Sequence, residues 1–413
     1  MRSRTTAVLG VACAMALVLS ACGSDDEESG SGGGGGGESA GGTLQVGLLT
    51  SLSGPGAAAA ADSIRGAEAR FAAYEDAGEG CAGDLDFDIV EADDTTSAQG
   101  ALSGVQKLVQ QDDVFAILNV SAFFYGASPY MTTQGSTVPV FGGAWDGAPE
   151  WSATDDNLFN SAPVPDYETI YSQAGEFFKS QGATKVAGIS VVSPSSQAGL
   201  EAGMQSMEAA GLERAYVNNS VPFGSTDVGA IVLGIIESEA DAVYTTLNFD
   251  TSLAIIAGLK QADYPVKIFL SPTGYGADLL QSEPAVQAGQ GVTFSSSFTP
   301  IEQDTPATQQ IRDALIEYTD NESGIPGFYE SQGWFGADLF LYGLEQAGCD
   351  ASQEELISTL QETDDWDANG LYPNPIPQST TDYEEQCSFY VKLEGNAFVP
   401  IEGADPFCGE PVS

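Results

Sequence analysis

The stretch VSAFFYGAS, Val120 to Ser128, sets two serines around three aromatic residues directly after an apolar run, so its hydroxyls either attack a substrate or hold one. Attack requires a base. The chain contains no histidine, which removes Ser-His-Asp, Cys-His and His-ligated zinc schemes together. A desolvated lysine can serve instead, yet no Ser-x-x-Lys occurs and the lysines fall at solvent-facing or helix-end positions. Gly37-Glu38-Ser39-Ala40-Gly41 has the spacing of a nucleophile elbow, but that motif needs a strand-turn-helix context and this copy lies in a Gly/Ser-rich segment. Among 59 acids, carboxylate pairs arise by chance and read as solvated surface. No enzymatic activity is expected.

Three further loops resemble chemistry and read as structure. Asp84, Asp86 and Asp88 alternate as in a calcium loop, but Ile89 stands where that loop needs glycine, and Leu85, Phe87 and Ile89 suit the buried face of a strand. LLTSLSGPG, residues 48–56, is glycine-rich without the GxGxxG spacing or the Gly-Lys-Ser/Thr of a phosphate loop. A tight turn capped by Ser53 ahead of an alanine-rich helix is the simpler reading. In ADDTTSAQ, residues 92–99, Asp94 or Thr95 is expected to cap a helix beginning near Ser97. No metal and no cofactor is expected.

The elements that must position these loops alternate between short β-rich runs and helical windows. Residues 44–49, 85–92, 114–120 and 138–143 read as strands, with helices at 57–77 and 97–111. After the proline-broken NSAPVPDYE the rhythm restarts, with strands at 185–192, 214–220, 241–247 and 266–271 separated by helices. This is an α/β pattern of two doubly wound parallel-sheet lobes, and ligands in such sheets sit beyond the carboxyl ends of the strands. Roughly 370 residues beyond the amino-terminal segment suit two such domains.

The chain opens with two arginines, an apolar stretch from Ala7 to Leu19 and small residues leading to Cys22, the order of a secretory signal peptide. Leu19-Ser20-Ala21-Cys22 resembles a bacterial lipobox, which implies a signal peptide over 1–21 and a lipid on Cys22. Residues 22–42, rich in Gly, Ser and acids, read as a flexible tether. Lys plus Arg number 12 against 59 acids, a net charge of −47. Such a field disfavours nucleic acid and anionic membrane surfaces. Apart from Cys13 and Cys22, four cysteines remain, which outside the cytoplasm suggests two disulfides with three connectivities open. Cys387 and Cys408 flank a stretch that alternates like a hairpin about Glu394-Gly395-Asn396, so they are paired, leaving Cys81 for Cys349. A metal site on these cysteines lacks histidine and any close Cys pair.

LQVGLLTSLSGPGAAAAADSIRGAEARFAAYEDAG, DIVEADDTTSAQGALSGVQKLVQQDDVFAILN and GFYESQGWFGADLFLYGLEQAG, in this order and spacing, resemble the branched-chain amino-acid-binding type of ABC-transporter solute-binding protein, the type I periplasmic-binding fold. The resemblance covers nearly all of Leu44 to Gly348. It implies two lobes joined by a three-crossing hinge, with passages near Ala162–Pro165, Ser295–Phe298 and residues 369–377. The lobes then comprise 43–163 with 298–370, and 164–297 with 371–413. It implies a lipid-anchored monomer that delivers a small solute to the permease subunits of an ABC importer, or, alternatively, a sensing lipoprotein of the same fold.

The resemblance also assigns ligand contacts. Ser121, with the amides of Ala122 and Phe123, matches the serine turn that holds a ligand carboxylate at a helix start. Phe123 is expected at the cleft opposite Trp145, while Phe124 and Tyr125 pack the helix onto the sheet. Gly143 supplies a backbone contact, and Trp145 replaces a usual Thr or Ser. Ser196 takes a position often held by a covering tyrosine, Asn248 that of a tyrosine, and Thr273 that of an acid; Tyr329 matches an aromatic near the hinge. Ala59 stands where relatives place an aromatic side chain. Without an acid at 273, a ligand ammonium needs Asp146 or Asp250 instead, because an unpaired buried charge costs about 3–5 kcal/mol. The expected solute is neutral or carboxylate-bearing, with an apolar or aromatic body.

Overall fold

The computed structural model describes residues 42–412 apart from 61, 79, 165–168, 382–385 and 402–405. The expected signal peptide, Cys22 and most of the tether lie outside these residues, as do Pro165 and the side chain of Ala59. Five strands, β1 (Gly42–Thr50), β2 (Leu85–Asp93), β3 (Ala116–Asn119), β4 (Val140–Gly142) and β5 (Leu158–Asn160), form a parallel sheet in the order β2-β1-β3-β4-β5. The direction of winding reverses between β1 and β3, which opens a crevice beyond their carboxyl ends. Every residue of β3 and β4 is buried, as expected of parallel strands covered on both faces.

A second sheet repeats this winding. Its strands β6 (Lys185–Val191), β7 (Glu213–Val221), β8 (Ala242–Thr246), β9 (Ile268–Ser271) and β10 (Thr293–Ser296) run parallel in the order β7-β6-β8-β9-β10. β11 (Gln386–Glu394) adds antiparallel to β10, and β12 (Ala397–Pro400) and β13 (Phe407–Gly409) pair antiparallel with β11. The switch point between β6 and β8 therefore matches the one between β1 and β3.

After β10 the chain returns to the first sheet. The helix Phe328–Ala347 packs against the helix Ser63–Ala77 at closely apposed backbones: a Cβ on Gly66 would fall 1.9 Å from the Glu330 carbonyl oxygen, and one on Gly333 2.0 Å from that of Ser63. Phe340 then meets Phe141, with ring centroids 5.5 Å apart, and seals the sheet. Cys81 is bonded to Cys349, tying these regions together. Cys387 is bonded to Cys408, but the hairpin turn at Gly395 leads from β11 into β12, and Cys408 arrives on the following strand, β13.

The passages between the sheets run side by side. The Thr299 amide donates to Leu371 O at 2.8 Å, and the Tyr372 hydroxyl donates to Ser161 O at 2.8 Å. Gln378 exchanges hydrogen bonds with the Asn160 backbone, accepting at 2.8 Å and donating at 3.0 Å. Gln378 is thus held against β5, and Tyr372 and Ile376 are buried in one cluster with Trp366.

Candidate functional site

The loops beyond the two switch points face each other. Phe123 meets Phe223 edge-on at 6.2 Å between centroids, and a Cβ on Gly147 would fall 3.0 Å from the Ser195 amide nitrogen. At the outer side, a Cβ on Gly224 would approach Pro55 O to 4.0 Å. First-sheet loops 51–56, 120–127 and 143–147 therefore approach second-sheet segments 192–196 and 222–225.

Ser121 is fully buried and its hydroxyl donates to Asp94. The same oxygen accepts from the Phe123 amide at 3.0 Å, and the Ser121 amide donates to Asn119 Oδ1 at 3.1 Å. Asp94, also fully buried, accepts from the Ser51 hydroxyl at 2.7 Å and the Thr96 amide at 2.6 Å. It does not cap the next helix. Ser97 does, accepting from the Gly100 amide at 3.0 Å, while Thr95 and Thr96, both left-handed, fold the loop back over Asp94. Burial, with the charge of Asp94 nearby, pushes the Tyr329 phenol up to about 12. Ser51, Asp94, Ser121 and Tyr329 thus converge where β1 and β3 diverge.

This wiring changes what the Ser121 turn offers. Its hydroxyl proton is committed to Asp94 and its oxygen already accepts from the Phe123 amide, so Ser121 offers a ligand no donor of its own, whereas the Ala122 amide has no partner among the described residues. The following helix is a three-residue 3-10 turn, Phe124–Gly126, too short to add much dipole. Phe124 is buried against Trp151 at 5.4 Å. Phe123 packs on Phe223 and on Tyr125.

Trp145 folds back over Gly143, where a Cβ would lie 2.2 Å from its ring, so only glycine fits beneath it. Its indole N–H is buried without a partner among the described residues. Asp146 turns inward: Oδ1 accepts from the Ala148 amide and Trp151 Nε1, each at 3.0 Å, and burial pushes its carboxyl up to about 7. It anchors its own loop, and Asp250 is exposed on a helix's first turn. Asp146 Oδ2 is buried without a hydrogen-bond partner among the described residues.

The second-sheet candidates are bonded within their own lobe. The Ser196 amide donates to the helix cap Ser193 Oγ at 3.3 Å, and its carbonyl accepts from Thr246 at 2.8 Å. Asn248 Oδ1 accepts from the Gly224 amide at 3.3 Å, holding Phe223 toward the cleft. The Thr273 hydroxyl donates to Leu247 O at 3.1 Å. Thr273 also lines, with Phe328, the neighbour of Tyr329, a cavity beside the hinge where loops of both lobes meet. Asp94, Ser51 and Phe223 were not among the expected site residues. The acid pair Asp93-Asp94 at the end of a strand was the available signal.

Among the described residues no group of three or more His, Cys, Asp or Glu could hold a metal ion, and no helix is long and apolar enough to cross a membrane. A family model described as periplasmic binding protein matches residues 43–390. Similar solved structures include an ABC-transporter solute-binding protein from R. palustris in complex with benzoate, 18% identical, covering 90% of this chain and 98% of its own, with a TM-score of 0.71. A branched-chain amino-acid ABC transporter protein from Thermus thermophilus with bound valine is 16% identical, covers 88% and 96%, and has a TM-score of 0.69. The leucine-binding protein LivK from Thermotoga maritima is 15% identical, covers 89% and 99%, and has a TM-score of 0.69. A search of curated proteins finds no match.

Proposed function

The chain belongs to the periplasmic binding protein family, and from that premise we propose that it is an extracytoplasmic receptor that captures a small organic solute between its lobes and presents it to the permease of an ABC importer. One observation carries the reading: two sheets of identical winding oppose their switch-point loops across a cleft, with Phe123 against Phe223. A solute bridging both sets of loops favours the closed arrangement, which is the signal a transporter can read. Lipidation of Cys22 would hold the receptor at the membrane, and the tether 22–42 would give it reach. We place the lobes at 43–163 with 298–378, and 164–297 with the remainder, supported by the bonds that keep Gln378 on Asn160.

The solute's body is apolar or aromatic, because Phe123, Phe223, Trp145 and Tyr329 supply the cleft's bulk. An α-amino acid is disfavoured, since Thr273 offers a hydroxyl already bonded to Leu247 where an ammonium needs a carboxylate. The Ala122 amide, Asn119 Nδ2 and the Trp145 indole N–H, each without a partner among the described residues, are the donors available for the solute's polar end. Isothermal titration with leucine, valine, benzoate and hydroxybenzoate tests this. Aromatic acids are expected to bind more tightly than the amino acids, and tight leucine binding without response to aromatic acids would overturn the reading.

A further inference from the structure

Between the crossed helices Ser63–Ala77 and Phe328–Ala347 and the loop at residues 365–369 lies a cavity of about 90 Å³. A single water needs only ~10–15 Å³, so the space suits a molecule the size of glycine. It stands apart from the cleft. The hydroxyl of Tyr74, one of its walls, accepts from the Cys81 amide at 2.6 Å, and Cys81 O in turn accepts from the Leu85 amide at the start of β2. The cavity therefore sits near the amino ends of the strands, whereas the switch-point loops lie beyond their carboxyl ends.

Arg70 lines this cavity and is only 8% exposed. Its Nε donates to Asp338 Oδ1 at 2.7 Å, and its guanidinium lies 5.5 Å from the Tyr74 ring centroid and 5.7 Å from that of Trp334. Two rings and one carboxylate thus hold the fork in place. Its two terminal amino groups make no hydrogen bond among the described residues, in a chain where 59 acids face 12 Lys and Arg, and they are not sealed off from the cavity. Asp338 is already taken: Oδ2 accepts from Trp366 Nε1 at 2.9 Å, and Oδ1 also accepts from Asn369 at 3.3 Å. What the fork lacks is a pair of acceptors in one plane, which a carboxylate supplies.

The rim carries the opposite sign. Glu345, Asp365 and Asp367 each spend one carboxylate oxygen within the fold, accepting from the Tyr74 hydroxyl at 2.7 Å, the Tyr342 hydroxyl at 2.6 Å and the Gly370 amide at 2.9 Å. The second oxygen of each has no partner among the described residues. A lone anion is repelled by this rim and a lone cation by Arg70, and among the described residues no three such acids are placed to hold a metal ion. A molecule with both charges a few bonds apart answers both. We propose that the cavity is a binding site for a small zwitterion of the glycine class, its carboxylate on the Arg70 fork and its ammonium toward the rim acids. Such an occupant ties the two helices to the loop 365–369 and stabilises the first lobe with the cleft open or closed. The site is independent of what the cleft binds.

Titration of the intact protein with glycine, and with methylammonium and acetate as its cationic and anionic halves, tests the site. Glycine is expected to bind at least about tenfold more tightly than either half. Arg70→Lys keeps the charge but removes the fork, and should weaken glycine at least about tenfold. Asp365→Asn combined with Asp367→Asn keeps both accepted hydrogen bonds through the amide oxygens while removing rim charge; it should weaken glycine and tighten acetate, each at least about threefold. If Arg70→Lys does not fold, this rim variant decides. Absence of glycine binding, glycine no tighter than methylammonium, or a preference for glycine over acetate unchanged in the rim variant overturns the proposal. If glycine binds through the rim and Arg70 while every solute of the earlier panel fails, the receptor reading falls and this site stands; panel solutes that bind the rim variant as they bind the wild type, with no glycine binding, separate them the other way.

Discussion

Asp94 takes three donors, the Ser51 hydroxyl, the Thr96 amide and the Ser121 hydroxyl, with no exposure to solvent. Removing the carboxylate leaves two buried hydroxyls and the half-buried Thr96 amide unpaired. Asp94→Ala is therefore expected to cost about 3 kcal/mol or more, and Asp94→Asn distinctly less, read as a shift in urea midpoint at unchanged slope. None of this convergence is legible along the chain, because Ser51 and Ser121 lie 43 and 27 residues from Asp94. The strand-end position of Ser121 can be read from the apolar run before it; the acid that takes its proton requires knowing that β1, β2 and β3 are neighbours. Asp146 offers a test in pH. Burial lifts its carboxyl from 3.8 to about 7, so the native state keeps a proton that the unfolded chain releases near pH 4. That contribution to stability is present below about pH 4 and is lost as pH rises through about 7, at up to about 1.4 kcal/mol per pH unit. Asp146→Asn should flatten this part of the stability profile across pH 4 to 7, measured by thermal unfolding.

At the scale of elements, the glycine crossing of the helices Ser63–Ala77 and Phe328–Ala347 joins segments far apart in sequence. A methyl group on Gly66 or Gly333 would press on a backbone carbonyl, which cannot swing aside as a side chain does. Alanine gains about 1 kcal/mol in helix propensity, yet the helices must separate to admit it. Gly66→Ala and Gly333→Ala are each expected to lose about 2 kcal/mol net, with the double variant less than additive because the first separation makes room for the second. A stabilised Gly66→Ala would contradict the close approach. Among the described residues eight of the thirteen strands are legible as β-rich runs: β1, β3, β4, β6, β8 and β9 are largely apolar because parallel strands are covered on both faces, while the edge strands β2 and β7 are more exposed and mix polar with apolar residues. β5 escapes because it is only Leu158–Asn160 within a polar stretch, where pairing with β4 overrides a weak local signal. The third passage is equally hard to read, since Gln378 is held by the Asn160 backbone and not by any periodic pattern.

For the whole molecule, a net charge of −47 means that closing the cleft brings two acidic lobes together. At one point the approach is direct. Asp278 of the second lobe meets Asp62 of the first, carboxyl to carboxyl, beside Arg65, which also holds Asp320 at 2.6 Å. Glu330 faces the same group, its carboxyl pushed up to about 7 mainly by burial and also by Asp62. Burial first, and then Asp62, lift the Asp278 carboxyl from 3.8 to about 6 in this closed arrangement. Opening would separate the pair and return Asp278 toward its ordinary value. Closure therefore takes up a proton; its contribution is complete below about pH 4 and is lost as pH rises through about 6. Small-angle scattering of the ligand-free protein should show a radius of gyration that increases from pH 4 to pH 7. Part of that change should disappear in high salt, which screens the general repulsion between lobes. The remainder should disappear in Asp278→Asn, whose amide can donate to Asp62 at any pH. A radius independent of pH in the wild type, or an Asp278→Asn profile identical to it, would show that the pair does not govern closure and that screening of the overall charge is sufficient.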